Sequence, residues 1–129
     1  MSFEMQALEE AVALFEAEAD DEFIDARRLS GVIDRLQGKL CRVLGAARKR
    51  GDHLLAGQSA CTWVAAQCRM SKTTAADRLC VGEQLGNLPM VAEALSSGEI
   101  GYQAASVICH LLVSHPALQQ SAPVWESRG

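Results

Sequence analysis

An all-α fold is predicted for this 129-residue chain from three observations. Apolar residues recur at spacings of three and four along most of its length, no stretch alternates with period two, and only three prolines interrupt it. The length fits one domain with a single modest core. The expected architecture is a helical bundle that starts with a helical hairpin, has a long second helix, and carries a helix-turn-helix-like centre.

Met5, Leu8, Val12, Phe15 and Ala19 place an apolar stripe on a first helix over about residues 3 to 19, with glutamates outside it. Asp20 and Asp21 are the expected caps of a second helix of about 28 residues, ended by Gly51. Its stripe runs through Leu29, Ile33, Leu36, Leu40, Val43 or Leu44, and Ala47, and Gly45 weakens it slightly. Both stripes are narrow, so the two helices are expected to pack antiparallel or against a second copy, with Leu29, Ile33, Leu36 and Leu40 as the core or dimer stripe. Residues 52 to 59 read as a loop. Ser59 caps a helix from Ala60 to about Cys68, and Ser71 caps another to about Leu85. Pro89 opens a short helix that ends at Gly98. The run YQAASVICHLLV makes the last helix, closed by His115 and Pro116. The division expected is an acidic arm over 1–25, a helical domain over 26–116 with the helix-turn-helix-like unit at 60–86, and an irregular tail over 117–129.

Composition excludes several classes of function. Apolar residues at 49% and charged residues at 22% are globular usage, not that of a disordered chain. No apolar run reaches the roughly 20 residues of a membrane span, and the acidic start does not resemble a secretory signal, so a cytoplasmic location is expected. The five cysteines, Cys41, Cys61, Cys68, Cys80 and Cys109, are odd in number and contain no C-x-x-C pair, so reduced thiols are expected, with neither a disulfide framework nor a metal site. His53, His110 and His115 are scattered, with His110 expected as a packed or edge residue. Carboxylates cluster only in the acidic arm, and there is no Gly-rich phosphate loop and no nucleophile motif. No enzyme activity, cofactor or small-molecule substrate is therefore expected.

The net charge of −4 conceals an asymmetry: residues 1–25 hold nine acids and no Lys or Arg, whereas the rest holds seven acids and all twelve basic residues. Such a division fits a polyanionic partner, or an acidic arm that folds onto a basic face. In TWVAAQCRMSKTTAADRL, Val64, Ala65 and Cys68 form an inner face, Met70 plugs a turn, and Arg69 stands where a turn glycine is commonest. After Ser71, the positions Lys72, Thr73 and Thr74 offer short donors and a cation to base edges and phosphates, with Arg78 following and Ala75, Ala76 and Leu79 facing inward. Arg48, Lys49 and Arg50 complement the C-terminal dipole of the long helix and form a second candidate phosphate contact. Trp63 reads as a core anchor.

The ordered signals RKRG, S-x-x-x-W-V, SKTTAADRL, LGNLP and ALSSGEIGYQAASVI resemble the N-terminal region of the actinobacterial domain of unknown function 222, the 13E12 repeat family. Members of that family often carry an HNH endonuclease domain further along, whose histidine and asparagine set this chain lacks. The resemblance therefore implies a truncated member or a fragment. SKTTAADRL, the Leu-Pro break and the Gly-x-Ile continuation also resemble the helix-turn-helix core of chromosome-partition proteins of the ParB type, which would make Ser71, Lys72, Thr73 and Thr74 the start of a recognition helix. Duplex DNA is the partner expected first. A helical dimerisation or protein-interaction domain is the alternative.

Overall fold

The computed structural model describes residues 2–20 and 25–115, which fold as seven helices with no strand among the described residues. They are α1 (Phe3–Glu16), α2 (Ala26–Arg50), α3 (Asp52–Leu55), α4 (Ala60–Gln67), α5 (Lys72–Leu85), α6 (Pro89–Ser97) and α7 (Tyr102–Ser114). The all-α bundle expected from the sequence is thus the fold. The predicted tail over 117–129 lies outside the described residues.

Local chemistry sets the boundaries. Ser2, Ser59 and Ser71 each accept a first-turn amide at the start of α1, α4 and α5, and Asp25 accepts those of Arg27 and Arg28 at the start of α2. Asp25, not the expected Asp20 or Asp21, caps α2, which is accordingly 25 residues long. Gly51 and Gly98 close α2 and α6 in the left-handed conformation, at φ 81° and 83°. Past Gly51 the chain winds one more turn as α3, where a plain loop is expected, and the amides of Ala56 and Gln58 bond back to the His53 carbonyl. Pro89 stands at the start of α6, where its missing N–H is not needed.

The two central elements are α2, which packs on α3, α5, α6 and α7, and α5, which packs on α2, α4, α6 and α7. They meet backbone to backbone. A methyl group built on Gly82 would overlap the carbonyl oxygen of Cys41, one on Gly45 would touch the Gly82 backbone at 3.4 Å, and one on Gly38 would lie 2.8 Å from Leu95. Gly45, a weakness when α2 is considered alone, is thus part of the surface that admits α5. Two apolar clusters flank the contact. One joins Cys41 to Val81, Leu85, Leu95, Ala105 and Cys109 among others, and the second joins Leu44 to Val64, Ala75 and Leu79.

The stripe expected on α2 is buried only in its C-terminal half, at Leu44 and Ala47. The buried residues of α2 are Gly38, Cys41, Leu44 and Ala47, whereas Leu29, Ile33, Leu36 and Val43 are exposed and Leu40 only leans on the second cluster. Large residues dominate the periodicity, but the face that meets α5 and α6 is made, apart from Leu44, of the small residues Gly38, Cys41 and Ala47. Ala76, expected inside, is exposed, while Ala75 and Leu79 are buried. Trp63 is half-buried against the second cluster.

Gly82→Ala is expected to lower stability by about 3 kcal/mol in chemical denaturation, because backbone cannot yield to the added carbon as a side chain can. Gly31→Ala, at a helical position with open space around it, is the control and should gain about 1 kcal/mol.

Candidate nucleic-acid interface

The α4–turn–α5 unit is built from two copies of one local device. In each helix a serine accepts the amide of the residue three positions on and donates to its threonine hydroxyl, as Ser59 with Thr62 and Ser71 with Thr74. Between the helices, Arg69 adopts φ 54°, making it the non-glycine residue with positive φ among the described residues. The left-handed step predicted by the usual turn glycine is therefore present, made by an arginine whose side chain is exposed. Met70 is half-buried against the second apolar cluster, its amide bonds to the Ala65 carbonyl, and the Cys61 thiol donates to the Lys72 carbonyl at 3.2 Å. These contacts fix where α5 begins.

Lys72 and Thr73 are exposed at that beginning, next to Arg69 in sequence. Thr74 is half-buried and its hydroxyl already takes the Ser71 proton, so it serves the cap first. The acidic α1 does not cover this turn, since it is not among the elements packing on α4 or α5. At the other basic segment, Arg48 pairs with Glu83 at 3.7 Å and Arg50 with Asp52 at 3.0 Å, while Lys49 is exposed with no ion pair among the described residues. Two of the three cations of that basic end are thus paired within the chain.

Arg78 is placed apart from Lys72 and Thr73. Its guanidinium pairs with Asp77, lies 4.5 Å from the centroid of the Tyr102 ring and donates to the Tyr102 hydroxyl, and its side chain is only 20% exposed. Asp77 is the hub of a network that the sequence reading missed. One carboxylate oxygen accepts from the Ser106 hydroxyl at 2.6 Å and from His110 at 2.8 Å, and the other accepts from the Tyr102 hydroxyl at 2.7 Å and from Arg78. The Tyr102 hydroxyl also contacts the Cys41 thiol at 3.5 Å, which links α5, α7 and α2. The signal was available: Tyr102, Ser106 and His110 recur every four residues along the mostly apolar α7.

The electrostatics follow from this geometry. Burial alone would raise the Asp77 carboxyl, but hydrogen bonds from Ser106, Tyr102, His110 and Arg78 outweigh it and hold the group down to about 2. Burial, together with hydrogen bonds to Cys41 and Asp77, pushes the Tyr102 phenol above its ordinary value, which keeps it a donor. Burial likewise raises Cys41 and Cys80 and pushes Cys109 up to about 12, so these thiols stay protonated and inert at neutral pH. Ser106 and His110 both donate to the Asp77 carboxylate, so the imidazole is not the partner of the serine hydroxyl, and these bonds tie α7 to α5. No group of three or more His, Cys, Asp or Glu residues that could hold a metal occurs among the described residues.

Two outcomes are expected. Since Asp77 titrates near 2 in the folded chain against about 3.9 when unfolded, its charge contributes about 2 kcal/mol of stability above pH 4, lost as pH falls from 4 to 2. The stability difference between the wild type and Asp77→Asn should therefore shrink over that interval in urea melts, and a difference that is flat with pH would exclude the charge as its source. Arg69→Gly should raise the melting midpoint, by an amount equivalent to about 1 kcal/mol, as the left-handed strain is removed.

No helix of the described residues is long and apolar enough to cross a membrane. Neither a curated protein nor a solved structure matches the chain. The sequence pattern described as a domain of unknown function, DUF222, matches residues 16–124, from the last residue of α1 through all of α2 to α7. With that order of signals carried by one continuous bundle, the chain belongs to the DUF222 family.

Proposed function

We propose that this domain is a non-catalytic, cytoplasmic module that docks on duplex DNA through the start of α5, as the accessory part of larger HNH-linked proteins of its family. The observation that carries this reading is the uncovered first turn of α5, where Arg69, Lys72 and Thr73 are all exposed beside a helix N-terminus. A helix N-terminus attracts phosphate through its partial positive charge and its unsatisfied amides. The α4–turn–α5 unit supplies the rest of a helix-turn-helix: one helix to cross the backbone and a second whose opening residues reach the groove. Lys49 and the end of α2 form a secondary contact, limited by the pairing of Arg48 and Arg50. Arg78, whose charge is spent on Asp77, acts by positioning α5.

Binding to a duplex, measured by fluorescence anisotropy across salt concentrations, should weaken steeply as salt rises. Lys72→Glu and Arg69→Glu should each lower affinity about tenfold and reduce the salt slope by about one. Binding that is absent at low ionic strength, or unaffected by both reversals, would exclude this interface.

A further inference from the structure

We infer that the exposed apolar face of α2 is the seat of α1 from a second copy of this chain, forming a two-fold dimer. On α2, Leu29, Val32, Ile33 and Leu36 are between 36% and 48% exposed, in a helix stretch where no residue before Gly38 is buried. Its own α1 lies across the resulting groove of about 910 Å³ without burying a single residue of α1. Val12 and Phe15 of α1 face that groove yet remain 43% and 42% exposed. Two half-covered apolar helices leave a contiguous apolar patch in water, and burying it under a further apolar surface is favourable.

Charge identifies that surface. Beside Val32 and Leu36 the other flank of α2 carries Arg35, Lys39 and Arg42, which border a second hollow of about 330 Å³ with an apolar floor. No carboxylate among the described residues pairs with any of the three. The occupant should therefore be an amphipathic helix with acidic residues along one edge of an apolar stripe. Helix α1 is such a helix. Glu9 and Glu16 are exposed, have no ion pair among the described residues, and flank Val12 on one side. Seven residues separate Glu9 from Glu16 and seven separate Arg35 from Arg42, about 10 Å of helix in each case, so the two edges match in length.

Each chain thus carries both the acidic apolar helix and the basic apolar seat. Such self-complementarity closes under a two-fold axis, α1 of each copy lying on α2 of the other. The start of α5 lies outside this surface, so the dimer stands or falls independently of DNA binding.

Light scattering coupled to size exclusion of the purified chain, without DNA and at roughly 0.1 mM where micromolar association is nearly complete, should give twice the 13.9 kDa chain mass. Leu36→Glu and Ile33→Glu, both at exposed positions, should give folded monomers, verified by circular dichroism. Glu9→Lys with Glu16→Lys should weaken the dimer at least about tenfold, as should Arg35→Glu with Lys39→Glu, and an equimolar mixture of the two variants should restore association. A monomer at that concentration overturns the inference, as does a dimer indifferent to both charge reversals. Loss of DNA binding in Lys72→Glu with the dimer mass intact would separate this surface from the DNA interface.

Discussion

The close approach of α2 and α5 at Gly82 is the constraint on which the remaining contacts depend. With no side chain between them, the Cys41 carbonyl and the Gly82 backbone touch, and Gly45 widens the same notch on α2. Cys41 and Leu44, on adjacent turns of that stretch of α2, then fall into different apolar clusters, the first shared with α6 and α7 and the second with α4. Helix α2 is thereby the common wall of two small cores. Widening the crossing by one carbon would open both at once, and a chain with so few aromatic residues has little bulk to refill either.

The same crossing brings the Cys41 thiol to the Tyr102 hydroxyl and so completes the Asp77 network on the α5–α7 side. Asp77 lies between one and two turns beyond the Ser71 cap. The network and the Cys61 bond to the Lys72 carbonyl therefore hold α5 from two directions while its first turn stays open. Polar groups placed in this way specify orientation more than they add stability, since a carboxylate with all its acceptor sites filled leaves little tolerance for rotation of the helix. This gives Arg78 a role different from the one its sequence position implies: a cation neutralised by its neighbour and stacked on tyrosine is a brace.

The legible parts of the fold were those written in local chemistry. Ser59, Ser71, Pro89, Gly51 and Gly98 marked helix ends because caps and breaks act within a few residues. The turn at Arg69 was legible for the same reason, even with an arginine in the glycine position. On the buried face of α2, Leu44 and Ala47 were legible but Gly38 and Cys41 were not, because hydrophobic periodicity weighs Leu and Ile above Gly and Cys, and the contact with α5 is governed by closeness of backbone. The Asp77 network escaped notice because its α7 members lie 25 to 33 residues from Asp77 in sequence, although the four-residue repeat of Tyr102, Ser106 and His110 marked their shared face.

The exposed half of the stripe acquires a meaning when the two basic surfaces are compared. Leu29, Ile33 and Leu36 have the heptad-like spacing of a helix that expects a partner, and the bundle leaves them uncovered. On the proposed dimer the acidic α1 neutralises the basic flank of α2, which would otherwise compete with the start of α5 for a polyanion. That leaves Arg69 and Lys72 as the principal unmatched cations of the α4–α5 face, and the two-fold axis presents them twice. An acidic arm and a basic body in one chain are then complementary parts of the assembly: the arm's charge is used in self-recognition, and the positive surface that remains is concentrated where a helix end can meet phosphate.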